Sequence, residues 1–155
     1  MKHKIDFNKA RKQESFRLSD KFFGADPNGV ELGFTNYYMT IDGKPFFAIS
    51  GECHFSRVAK NQWEDTILKM KAGVLNVIST YVFWNHHEEI EGQFDFSGNK
   101  NIGEFIKLCK KHNMYVILRI GPFAHGEVRN GGLPDWLYGK PFDTRDNNPR
   151  FTECV

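Results

Sequence analysis

The chain has 155 residues, 40% of them hydrophobic and 15% aromatic, with a formal net charge of +2. That length supports one domain with a sizeable core. The small charge gives no field that would recruit nucleic acid or an anionic membrane, and no apolar run approaches the roughly 18 residues of a membrane span.

The elements follow in chain order. Residues 1 to about 35 are polar and unpatterned. They begin with the basic stretch "MKHKIDFNKARK", which has no apolar core of its own and reads as a solvated tail, and Asp26-Pro27-Asn28-Gly29 adds turn punctuation. No apolar signal segment is visible at the start. The three cysteines, Cys53, Cys109 and Cys154, are scattered and odd in number. Both features predict a reduced, cytoplasmic protein.

Asp42-Gly43 lies between two apolar runs and predicts a hairpin with strands at about 36–41 and 45–50. In "KNQWEDTILKMKAG", Trp63, Ile67, Met70 and Val74 fall on one helical face, and Gly73 is a stop signal. "VLNVISTYVFW" is a continuous apolar run and reads as a buried strand. A turn-rich insert, "NHHEEIEGQFDFSGN", precedes a second helix with Ile102, Phe105, Ile106 and Cys109 at helical spacing. "MYVILRIG" reads as another buried strand. The polar segment after Trp136 holds no clear fourth strand.

From residue 45 the order is strand, helix, strand, helix, strand. This predicts an α/β fold with a parallel sheet, either open or part of a barrel. In such sheets ligands bind at the carboxyl ends of the strands. Those ends carry Gly51-Glu52-Cys53-His54, then Tyr81 with Trp84 to Glu88, then Arg119, His125 and Glu127. Parallel neighbours would gather them on one rim.

The run His86-His87-Glu88-Glu89 lacks the HExxH or CxxC spacing of a metal site, so hydrogen bonding to neighbours is the expected role. Neither a metal nor a cofactor is expected. Cys53 and His54 are adjacent in an extended segment and face opposite ways, which argues against a thiol–imidazole dyad. Arg119 needs an acid partner if buried, and Glu52 or Glu88 could supply it. Glu127 could be a solvated loop residue, pair with Arg119 or Arg129, or bind a ligand.

Taken in order, "DGKPFFAISGECHFSRV", "WEDTILKMKAGVLNVISTYVFWNHHE", "GQFDFSGN" and "LRIGPFAHGEVRNGGLPDWL" resemble glycoside hydrolase family 35, the β-galactosidase family of retaining enzymes. The resemblance covers about residues 36–146. It implies a (β/α)8 TIM barrel, of which residues 36–155 would be the first three βα units. It implies a β-galactoside substrate, hydrolysed with retention by the parent enzyme. By the same resemblance, Tyr81 contacts the galactose and Glu127 hydrogen-bonds its hydroxyls. Gly126 stands where the family makes a backbone contact, usually at an alanine. Val128 departs from the family's usual tryptophan. A β-mannosidase-type barrel would carry different residues at positions 81 and 127.

Retaining hydrolysis needs two carboxyl groups roughly 5–5.5 Å apart. In the family, the acid/base follows the fourth strand in an Asn-Glu pair and the nucleophile follows the seventh. Neither is expected in this chain, so no catalytic residue is assigned and the isolated chain is expected to be inactive. Its open apolar edge strand would meet either the missing part of the barrel or another copy of itself. The alternative expectation is a non-catalytic sugar-binding or assembly fragment.

Overall fold

The computed structural model describes residues 14–155, so the basic stretch at the start of the chain lies outside the described residues. The chain divides into two compact units, one ending at Phe47 and one running from Ala48 to Val155.

The first unit holds a four-stranded antiparallel sheet in the order β1 (Gly24–Ala25), β2 (Glu31–Phe34), β3 (Met39–Ile41), β4 (Lys44–Phe46). The Asp42-Gly43 hairpin is present as the β3–β4 turn. Both turn residues are left-handed, with φ of 49° and 72°, which matches the twist of the flanking strands. The Asp42 carboxylate also accepts the Glu31 N–H at 2.9 Å, tying the turn to β2. The stretch read as a solvated tail lies outside the described residues, but the segment after it carries strands. β1 and β2 lie inside the segment read as unpatterned. They hold two and four residues, too few to display a period of two.

The second unit holds a parallel sheet in the order β5 (Ser50–Glu52), β6 (Val77–Tyr81), β7 (Tyr115–Arg119). The single strand expected at 45–50 is in fact two. Its first half pairs antiparallel in β4, and Ser50 opens β5 in the other sheet. Helix α1 (Trp63–Ala72) connects β5 to β6, and α3 (Ile102–Lys111) connects β6 to β7.

α1 ends where Gly73 takes over as its cap. Val74, expected on the buried face, follows the helix with φ of 68° and is 73% exposed. α3 begins at Asn101, whose side chain accepts the Glu104 N–H at 2.9 Å and so satisfies one orphan donor of the first turn.

One face of the sheet packs on these helices. Ile78 and Val116 meet Phe55, Trp63, Ile67, Phe105 and Cys109 in the main core. Three rings interlock there: Phe105 lies 5.6 Å from Phe55 and 5.5 Å from Trp63. The indole N–H of Trp63 is shared between the carbonyls of Phe55 and Val58.

β6 is buried along its whole length, as a central strand should be. It stops at Tyr81, and Trp84–His87 forms the short helix α2 where the strand was expected to continue. β7 departs from expectation more sharply. Tyr115 and Ile117 are 48% and 47% exposed, and Ile120 just beyond is 69% exposed. The reason is position: among the described residues β7 pairs only with β6. After β7 come short 3-10 turns and the terminal helix α4 (Pro149–Cys154), with no further strand.

Candidate functional site

Register decides which side chains share the face opposite the helices. Tyr81 pairs with Arg119, and Ser79 pairs with both Glu52 and Ile117. Side chains alternate along a strand, so Glu52, Tyr81 and Arg119 emerge on the face that Ile78 and Val116 do not. All three sit at the carboxyl ends of their strands, where a ligand is expected.

There they form one connected set. An Arg119 Nη lies 2.5 Å from a Glu52 carboxylate oxygen, a charge pair and not an aligned hydrogen bond. The same guanidinium lies 3.7 Å from the centre of the Tyr81 ring. The Tyr81 N–H donates to His54 Nδ1 at 3.3 Å, and His54 Nε2 faces Glu52 at 3.8 Å. The structure thus chooses Glu52 over Glu88 as the partner of Arg119. It also explains why Cys53 has no base: both nitrogens of His54 are turned to other groups. Burial raises the Cys53 thiol above its ordinary range. Burial, aided by the nearby Arg57 guanidinium, holds His54 below the usual imidazole range.

Tyr81 is buried, and its hydroxyl accepts the His125 N–H at 3.2 Å. The loop after β7 therefore rests on it. Gly126 packs so closely that a Cβ there would lie 3.1 Å from the Tyr81 ring and 3.4 Å from Phe83. Val128 packs against the same small cluster of Tyr81, Phe83 and Ala124. The sharp bend that follows uses Asn130, Gly131 and Gly132, all with positive φ. At Gly131 a Cβ would fall 1.9 Å from the Phe123 ring, so only glycine fits.

Glu127 is exposed and lines an open recess of about 540 Å³ with Arg57, Asn85, His86, Glu89, Lys100, Val128 and Arg129. Every cation around it is engaged elsewhere. Arg57 donates to the carbonyls of Gly126 and Glu127, each at 3.0 Å. Lys100 pairs with Asp95 at 3.0 Å and Arg129 with Asp135 at 2.8 Å. Neither Arg119 nor Arg129 takes Glu127, and its carboxylate has no partner among the described residues.

The His-His-Glu-Glu run divides its work. Glu88 is buried and accepts the Trp84 indole N–H at 2.5 Å and the Gly92 N–H at 2.7 Å, while its carbonyl takes the Trp136 indole. His87 Nδ1 meets the Asp95 carbonyl at 3.0 Å. These two hold the insert in place, whereas His86 and Glu89 face the recess. No group of three or more His, Cys, Asp or Glu side chains is placed to hold a metal among the described residues. No described helix is long and apolar enough to cross a membrane.

Arg57 is the site residue that sequence reasoning missed. It lies in a short 3-10 turn with no periodic pattern around it, and its partners are 69 and 70 residues away.

The family model for glycosyl hydrolases family 35 matches residues 38–155. A β-galactosidase of Canis lupus familiaris is 51% identical over 125 residues, 80% of this chain and 19% of that protein. A β-galactosidase of Xanthomonas manihotis is 46% identical over 111 residues, 71% of this chain and 19% of that protein. Among solved structures, an exo-β-1,4-mannosidase from Opitutaceae bacterium strain TAV5 aligns with TM-score 0.55 at 12% identity. That alignment covers 88% of this chain and 22% of the mannosidase, and it speaks to the fold alone. The chain thus spans about a fifth of the length of these relatives.

Proposed function

The chain belongs to glycosyl hydrolases family 35, and from that premise we propose that it supplies the sugar-holding rim of a retaining β-galactosidase. Tyr81, Gly126 and Glu127 are the residues that meet a terminal β-galactoside. The observation that carries this reading is the free carboxylate of Glu127. It is held on a loop braced by Arg57 and Tyr81, and the cations beside it are already committed. A carboxylate left in that state can accept two hydroxyl hydrogen bonds, each worth roughly 1.5–3 kcal/mol before desolvation is counted.

In this reading the chain binds and does not cleave. The acid/base and nucleophile carboxyls, which must stand roughly 5–5.5 Å apart, come from barrel strands other than β5, β6 and β7. The exposed side chains of Tyr115, Ile117 and Ile120 support a role for the β7 edge in receiving those strands. The same edge favours a second reading, an assembly fragment that pairs with another copy.

The test is Glu127→Gln in a polypeptide that carries these residues within a complete barrel. The expected result is a fall in kcat/KM for a nitrophenyl β-galactoside of about tenfold or more, with the melting temperature unchanged. Unaltered kinetics would remove Glu127 from the sugar site. The 155-residue chain alone is expected to release no nitrophenol.

A further inference from the structure

The Glu52, His54, Tyr81 and Arg119 contacts close into a ring. Glu52 touches Arg119 and His54, Arg119 covers the Tyr81 ring, and the Tyr81 backbone returns to His54. Three parallel strands contribute one corner each, and His54 follows the first of them. Nothing in the sugar-contact reading requires Glu52, Arg119 or His54.

The ring acts on one side chain. A tyrosine ring can turn about its Cβ–Cγ bond and tilt about Cα–Cβ. The tilt decides where the hydroxyl points. Gly126 packs tightly against one edge of the ring, where a Cβ would be at 3.1 Å. Over the ring itself the flat guanidinium of Arg119 lies 3.7 Å from the ring centre. A planar cation over an aromatic face is attracted to it and stacks on it, which a lysine ammonium does not reproduce. Arg119 is itself aimed by the charge of Glu52, the acid that meets its guanidinium; no other acid pairs with it among the described residues. The hydroxyl already accepts the His125 N–H, so its remaining capacity is the O–H proton and one lone pair.

We infer that Arg119, aimed by Glu52, is a positioning residue that fixes the tilt of Tyr81 and thereby the direction in which its hydroxyl donates to a sugar. This rests on the reading of Tyr81 as a sugar contact. His54 serves as the built-in reporter. Its Nδ1 accepts the Tyr81 N–H, so the neutral ring carries its proton on Nε2, facing Glu52. The charges that act on it are Arg57 and Arg119, which lower its pKa, and Glu52, which raises it, against a background of burial that lowers it most.

The experiment is nuclear magnetic resonance on the isotope-labelled 155-residue chain and three variants, with galactose as the probe. In Arg119→Met the His54 pKa should rise, the Tyr81 Cα–Cβ torsion read from three-bond couplings should spread over more than one rotamer, and galactose affinity should fall about tenfold. In Glu52→Gln the His54 pKa should move the opposite way, downward, while the Tyr81 torsion again spreads. Arg119→Lys restores the charge without the plane, so His54 should titrate as in the wild type while the Tyr81 torsion stays spread. A merely structural role would instead move His54 upward in both Arg119→Met and Glu52→Gln, as loosened packing hydrates it. An unchanged single Tyr81 rotamer in Arg119→Met overturns the inference. Should Arg119→Met not fold, Glu52→Gln decides alone, because the Glu52 side chain is 58% exposed and its loss leaves the core intact. A wild-type chain whose resonances ignore galactose removes the sugar contact, whereas the Tyr81 torsion and His54 results still decide the positioning of Tyr81.

Discussion

Arg57→Met should loosen the loop that carries Glu127 and leave the rest of the fold in place. Arg57 spends one nitrogen on two consecutive carbonyls, Gly126 and Glu127, each at 3.0 Å, and its guanidinium lies 4.9 Å from the Phe83 ring centre. A charge-assisted bond is worth roughly 1.5–3 kcal/mol when dry, but Arg57 is solvent-exposed and the two bonds share a donor. The loss is therefore placed at about 1–2 kcal/mol, close to a tenfold change in a local opening equilibrium. Three loop amides report it: Ala124 bonded to Gly131, His125 bonded to Tyr81, and Gly131 bonded to Val128. Hydrogen exchange at these amides should quicken about tenfold in Arg57→Met, while the amides of β6 keep their wild-type rates. Methionine keeps most of the aliphatic stem, so lost packing is a minor part of the change. Equal acceleration in loop and strand would mean that Arg57 stabilises the whole unit. No acceleration at the loop would mean that its two bonds carry no weight in solution. Either result refutes the account of how Glu127 is held.

Other predictions concern the core, the bend and pH. Phe105→Ala removes the ring that joins Phe55 and Trp63 in a fully buried position, and urea unfolding should show a loss of about 3–5 kcal/mol. Gly131→Ala forces a Cβ into Phe123 at a positive φ, so it should lower the melting temperature and shift the Phe123 resonances. His54, His86 and His87 are all held below the ordinary imidazole range, chiefly by burial. The unfolded chain therefore takes up protons first. Stability is full above the unfolded imidazole pKa, roughly 6.5, and is lost as pH falls from there toward the lower folded values. Urea midpoints at pH 7.5 and 5.5 check this, and a midpoint that rises on acidification would contradict it. Asp95, depressed by hydrogen bonds from Ser97 and by Lys100, titrates only below the ordinary carboxylate range and does not interfere in that window.

Much of the α/β frame was legible from residue spacing. α1 and α3 bury whole faces, so their apolar residues recur at the helical period. β6 is covered on both sides, so its apolar run is unbroken. The hairpin at Asp42-Gly43 was legible because two consecutive left-handed residues are a local demand that few residue pairs meet. The division between β4 and β5 was not legible. The apolar run simply continues through Phe47, Ala48 and Ile49 while the chain changes sheets. The exposure of β7 was not legible either, since "YVILR" reads the same whether or not a further strand lies beside it.

The candidate site divides along the same line. The sequence by itself determined the family and the strand-end positions of Tyr81 and Glu127. Each of these depends on residue type and local spacing. The tertiary structure decided that Glu52 takes Arg119, that Arg119 lies on Tyr81, that Arg57 braces the loop across 69 residues, and that Glu127 is left without a partner among the described residues. Which charges meet depends on parallel register and on loops from three separate strands arriving at one rim. No short window of sequence contains those distances, because the chain creates them only when the sheet forms.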